Sequence, residues 1–451
     1  MSNASGIGPT PPGLFALTAP ATPGSAAISA ASRPSQPSLP PSKIEVGVYV
    51  AGANNLGYIE RPIPELVSVS KGDPSIAFTV EDTGPNLGVG PGMRTVMFEL
   101  SNGSLMHVVA SEPVDMSGRA AMANFVTRTL DDAYLHHARE TWLVLADHGA
   151  GDAGGSFTQE PDGSLQHMSV DTLAGAIADG VAIHAQHYPA DANRRIDGVV
   201  MHECFEGTLT VAETLSRVGV RYFAASAETT IAPGIPFSLL HEIAAHAGDP
   251  RAQAQGVVKT VMDRTYLQSD GHGDTQPYHP AATFFVMDLA NSRMLPVEQA
   301  QVQLNRRLIQ DSRQIPGFRA RVLSDISQVQ GMERDQPNSG VPWNADRPAI
   351  AVYTVLARDP RLPLDVRRDA ASLALAISGT LLAHGESVGF AGFGPSYLDA
   401  PGPTVHLPTK LSDVAPYAPA ISELEATQSY LSGNNQLIGA LLVPGYAGMA
   451  A

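Results

Sequence analysis

Two stretches limit what this chain can fold into more than any others: residues 142–150, Trp-Leu-Val-Leu-Ala-Asp-His-Gly-Ala, and residues 196–204, Ile-Asp-Gly-Val-Val-Met-His-Glu-Cys. Each is a short apolar run that breaks off into polar, reactive side chains. Runs of this length, bounded by turn signals and carrying β-branched residues, read as buried strands of a parallel sheet. In open α/β sheets the working groups stand just beyond the carboxyl ends of such strands. His148 leaves one strand end, and Cys204, the single cysteine in 451 residues, leaves the other. If the two strands are neighbours, imidazole and thiol meet although they are far apart in the chain.

That pairing has a chemistry. A thiolate is the attacking species, and a nearby imidazole takes the thiol proton or lowers its pKa. Gly149 has no side chain to keep a substrate away, so its N–H is a candidate oxyanion donor. The N–H of Cys204 is the second candidate, the more so if a helix begins there. Residues 206–217 read as that helix, with Leu209, Ala212 and Leu215 at helical spacing. A lone cysteine at a strand end is ordinarily a small buried hydrophobe. The functional reading therefore rests on the strand-terminal His-Gly expected beside it.

The composition narrows the classes. A formal charge of −16 and a pI near 5.2 disfavour nucleic acid or an anionic membrane as partner. One cysteine excludes an internal disulfide framework and a cysteine-based zinc site. No apolar stretch approaches the roughly twenty residues that span a bilayer. The start lacks a basic n-region and a continuous apolar core, so no ordinary signal peptide is read there, and the destination is cytoplasm or a non-classical export route. The glycine-rich turn 84–92 lacks the Gly-x-x-x-x-Gly-Lys pattern of a phosphate cradle. His184 with His187, and His241 with His246, have no carboxylates arranged around them and read as core or solvated histidines. No metal and no cofactor is expected. The expected partner is a protein or peptide substrate, and the expected state is a monomer.

Residues 1–42 are rich in Pro, Ser, Ala and Gly without periodicity, and read as a disordered leader. Strands are expected over 43–52, 75–80 and 94–100, and helices over 57–70, 117–138, 170–185 and 236–247. Residues 149–164 read as a glycine-rich loop. Residues 43–250 are taken as one unit and 251–451 as a second, mixed one. In that second unit 281–289 reads as a strand, 296–314 and 366–384 as helices, and 386–408 as strands.

Asp147-His148-Gly149-Ala150-Gly151 resembles the Asp-His-Gly-x-Gly motif of the clostripain-like cysteine peptidases. The order continues through Ile196-Asp197-Gly198, Cys204, Glu213, Tyr222–Glu228 and Pro233-Gly234-Ile235-Pro236-Phe237. It reaches upstream to Val48–Leu56 and downstream to Met287-Asp288-Leu289 and Val405–Pro408, about residues 43–410 in all. The resemblance implies an α/β fold: a caspase-like, mostly parallel central sheet flanked by helices, with a C-terminal mixed α/β subdomain. It also implies a cysteine endopeptidase working through a thioester, with Cys204 as nucleophile and His148 as general acid/base. Such proton transfer is worth about 10²–10⁴-fold.

The resemblance departs at one position. The family carries Asp-x-Cys, its aspartate lining the pocket for an Arg or Lys side chain, and here that residue is His202. His202, Glu203, Ser226 and Glu228 are the candidate pocket residues, Glu228 as a replacement negative charge; an acidic or small preference is the alternative. Arg194-Arg195 is a candidate self-processing pair, because relatives can cut their own chain between His and Cys. Two other readings stand beside the peptidase: a silent relative that binds a partner peptide without cleaving it, and an acyl transferase or ligase that passes the thioester to an amine.

Overall fold

The computed structural model describes residues 43–52, 62–85, 87, 93–149, 151–159, 165–228, 234–263, 266–269, 275–278, 283–332, 345–386, 401–410 and 437–442. The expected leader, 1–42, lies outside them.

The strands in chain order are β1 (Ile44–Val50), β2 (Ile76–Pro85), β3 (Met93–Ser101), β4 (Ser104–Ser111), β5 (Glu140–Ala146), β6 (Gly155–Gln159), β7 (Leu165–Met168), β8 (Gly198–His202), β9 (Tyr222–Ala225), β10 (Tyr266–Ser269), β11 (Thr275–Tyr278), β12 (Thr283–Asp288), β13 (Asp346–Pro348), β14 (Leu381–Glu386) and β15 (Thr404–His406). The helices are α1 (Pro62–Gly72), α2 (Arg119–Leu135), α3 (Val170–His187), α4 (Leu209–Arg217), α5 (Leu239–Ala245), α6 (Pro250–Met262), α7 (Asn291–Gln314), α8 (Phe318–Ser327), α9 (Ala349–Arg358) and α10 (Leu364–Ser378).

Among the described residues, nine strands form one sheet in the order β14-β12-β9-β8-β5-β1-β2-β3-β4. From β9 to β2 the pairings are parallel; β3 and β4 at one end, and β12 and β14 at the other, are antiparallel. All residues of β1 and β8 are buried, as expected where helices cover both faces. Val199 and Met201 point into a core shared with α2, α3, α4 and α7 to α10. Val200, Trp142 and Val144 point into the opposite core with α1, α5 and α6. The mostly parallel, helix-flanked sheet expected from the resemblance is what the chain forms.

Beyond residue 250, β12 and β14 join the same sheet as β5 and β8. One expectation changes. The helix read over 366–384 stops at Ser378, and residues 381–386 form β14 against β12. Gly379 and Thr380 make the break, the Thr380 carbonyl accepting from the Asp288 amide at 2.8 Å. β4, α6, α8, α9 and the β6–β7 hairpin were not anticipated.

The fold buries several acids. Burial pushes Glu45, Glu81 and Asp82 up to about 7, Asp197 to about 6 and Glu213 to about 8. Glu45 faces His136, Oε2 to Nδ1 at 2.7 Å, and desolvation still dominates its shift. A carboxyl raised above its unfolded value, about 4, binds its proton more tightly in the native state. Its stabilising share is complete below about pH 4 and is lost as pH rises through the folded pKa. His148, lowered by burial, acts in the opposite sense but is a single group. The thermal midpoint is expected to fall between about pH 5 and about pH 8; a flat or rising midpoint in calorimetry would contradict it.

Candidate active site

Strand register brings the two reactive segments together. β5 and β8 are neighbours, and Ala146 pairs with His202 at their carboxyl ends. His148 and Cys204 each lie two residues past that pair. The loops then touch through their backbones: a Cβ on Gly149 would stand 1.9 Å from the carbonyl oxygen of Cys204 and 3.0 Å from its nitrogen. Only glycine allows that approach. Gly149 bridges back to Gly155, and the Ser156 amide donates to the His148 carbonyl at 3.2 Å. The Cys204 side chain is partly exposed, packed beside the core that holds Phe205. His148 is half-buried, and desolvation holds its imidazole below the ordinary 6.5. That shift favours the neutral imidazole, the form that accepts a proton.

The segment carrying Cys204 is laced on both sides. Phe205 takes a left-handed backbone, φ 60°, and its amide donates to the Glu228 carbonyl at 3.3 Å. The Gly207 amide donates to the Ser226 carbonyl at 2.8 Å, and the Gly207 carbonyl accepts from the Thr404 amide at 2.9 Å. β15, from the far end of the chain, thus pins the loop that carries Cys204. Across the site, the Gly151 amide donates to Glu206 Oε1 at 3.1 Å. The helix expected from residue 206 starts at Leu209, with Thr208 Oγ1 accepting from the Val211 amide at 3.1 Å as its cap. α4 therefore begins past Cys204 and not at it.

The remaining candidates fall differently from expectation. His202 is buried and stacks on Phe237, ring centroids 5.1 Å apart, with Gly234 against its ring. Phe237 belongs to the core opposite the one that Cys204 packs on, and β8 ends at His202, so strand alternation does not carry on to Cys204. The expectation that His202 shares the cysteine's face is corrected. Glu203 is 2 % exposed and accepts from both the amide and the hydroxyl of Ser156, so it holds structure and does not line an open pocket. Burial raises its carboxyl to about 7, against the pull of the Ser156 bonds. Ser226 Oγ donates to the Glu228 carbonyl at 2.9 Å and accepts from its amide at 3.1 Å, closing the turn after β9. Glu228 is also buried.

Arg194 is held in a turn by Asp191 and by the Ala138 carbonyl, 3.0 Å away, and only Arg195 is exposed. The candidate processing pair thus lies in the surface connection ahead of β8, with Arg194 tied down and Arg195 open to solvent. His184 is a core histidine, but against expectation carboxylates do surround it and His187: His184 Nδ1 is 2.8 Å from Asp131 and its Nε2 3.3 Å from Asp191, and His187 Nδ1 is 2.8 Å from Asp131. Among the described residues, no group of three or more His, Cys, Asp or Glu is placed to hold a metal ion, and no helix is long and apolar enough to cross a membrane. Sequence reasoning missed Ser156, Glu206 and Thr404. Their signal is weak: a serine in a glycine-rich loop, an acid two past the cysteine and a threonine at the far end.

No protein-family model matches the chain, and no curated protein does. Solved structures do. A secreted C11 cysteine protease from Bacteroides thetaiotaomicron, iotapain, superposes with a TM-score of 0.56 at 15% identity, covering 87% of this chain and 99% of its own. A secreted C11 protease from the same organism, bound to an irreversible peptide inhibitor, gives 0.58 at 14% identity, covering 87% and 98%. An inactive zymogen C11 protease from Parabacteroides distasonis gives 0.54 at 14%, again over 87% and 98%. The architecture, built on the strand pair that carries His148 and Cys204, is the fold of the C11, or clostripain-like, cysteine proteases.

Proposed function

We propose that this chain is a cysteine endopeptidase in which Cys204 is the nucleophile and His148 the general base and acid. One observation carries the reading: the β5–β8 register, together with the pressing of Gly149 onto the Cys204 backbone, sets the two loops against each other. The Cys204 sulfur attacks the carbonyl carbon of a peptide bond while its proton passes to His148. The oxyanion draws hydrogen bonds from the Gly149 and Cys204 amides. His148 then gives its proton to the departing amine, leaving a thioester. Water, deprotonated by His148, attacks that thioester and releases the acid and the free thiol.

Position 202 sets this chain apart from the Asp-x-Cys pattern. A buried imidazole stacked on Phe237 offers no carboxylate to an Arg or Lys side chain. Cleavage is therefore not directed to basic residues by this position.

The test uses the single thiol. A peptidyl acyloxymethyl ketone is expected to add once, at Cys204, located by mass spectrometry of a digest, and to abolish cleavage of a peptide library. The acid limb of kcat/KM is expected below pH 6.5, because burial depresses the His148 pKa. Cleavage that survives complete labelling would refute the assignment.

A further inference from the structure

Resting on the Cys204–His148 reading, we propose that Glu203 is a positioning residue: through Ser156 it locks the loop carrying His148 against the loop carrying Cys204. Glu203 immediately precedes the nucleophile, yet its side chain turns inward, away from solvent. Its Oε1 accepts from the Ser156 amide at 3.1 Å and from Ser156 Oγ at 3.0 Å. The same amide also donates to the His148 carbonyl at 3.2 Å. One N–H is thus shared between the residue before the thiol and the backbone of the imidazole residue.

Two further features show that the contact is built. Ser156 holds a left-handed backbone, φ 53°, which a side-chain-bearing residue adopts only where its surroundings enforce it. The preceding residue is Gly155, and a Cβ there would stand 2.5 Å from Glu203 Oε2. Both carboxylate oxygens therefore face the 155–156 segment. A buried acceptor with two donors on one oxygen fixes the distance between the loops, and a shift of about 1 Å between reacting groups costs on the order of 10²-fold.

The experiment uses the full chain and a fluorogenic peptide that it cleaves, with Cys204→Ala as control. Glu203→Ala is expected to lower kcat about 10²-fold with KM within about twofold. Glu203→Gln keeps an oxygen acceptor and is expected to recover kcat to within about fivefold. Ser156→Gly relieves the left-handed backbone, so its thermal midpoint holds or rises while kcat falls about tenfold through the lost hydroxyl. The double variant Glu203→Ala/Ser156→Gly is expected to be no slower than Glu203→Ala alone, because the pair acts as one unit. Alkylation of Cys204 by iodoacetamide is expected to slow in Glu203→Ala and to recover in Glu203→Gln.

Unchanged kcat in Glu203→Ala or Ser156→Gly, a loss confined to KM, or additive losses would overturn the positioning role. If Cys204→Ala cleaves as fast as the unmodified protein, the peptidase reading fails and this role falls with it. If Cys204→Ala is inactive while Glu203→Ala keeps its kcat, the positioning role alone fails.

Discussion

Cys204→Ala is expected to lower peptide cleavage by about 10⁶-fold while leaving the circular dichroism spectrum and the thermal midpoint close to those of the unmodified protein. Cys204 is partly exposed at a loop, so removing its sulfur opens no sealed cavity. What is lost is the covalent route, for which no other thiol in the chain substitutes. His148→Ala is expected to cost a similar factor, and the double variant no more than either single one, because nucleophile and base act as one unit. Progress curves against one peptide measure all three. Additive losses would mean that imidazole and thiol work independently, and the dyad would have to be abandoned.

Gly149→Ala is the second large effect, and one methyl group causes it. The new Cβ would sit 1.9 Å from the Cys204 carbonyl oxygen and 3.0 Å from both its carbon and its nitrogen. All three are backbone atoms, so no side-chain rotation relieves the clash and one of the two loops must move. The loss expected in kcat is about 10³-fold: one oxyanion donor is misplaced, and the imidazole is displaced relative to the sulfur. The thermal midpoint is expected to drop as well, since the Gly149–Gly155 bridge and the Ser156 amide bond to His148 lie on the same loop. An alanine variant with unchanged kcat would show that the two backbones are not in contact.

Strand assignment succeeded where burial on both faces produced unbroken apolar runs. Residues 142–146 and 199–201 are such runs, and both form central strands. It failed where local preference and long-range pairing disagree. Leu381-Leu382-Ala383 continues the apolar stripe of α10, yet pairs with β12 as a strand, because an edge position on the sheet outweighs a modest helical preference. The β6–β7 hairpin went unseen for the same reason. A glycine-rich segment has no period of its own, and its pairing is imposed by Glu203 and by the bridge at Gly149.

The amino-acid order alone determined the kinds of groups available and their level: a single thiol and a His-Gly pair, each just past the end of an apolar run. Periodicity and residue chemistry are local properties, so they can be read from a string. Which strands are neighbours, and whether a polar residue near the thiol faces substrate or protein, depends on segments far away in the chain. Only the folded sheet placed β8 beside β5, turned Glu203 inward onto Ser156, set His202 against Phe237 in the opposite core and brought Thr404 to the Cys204 loop. Register and burial are sums over distant contacts, and no window of the sequence contains both partners.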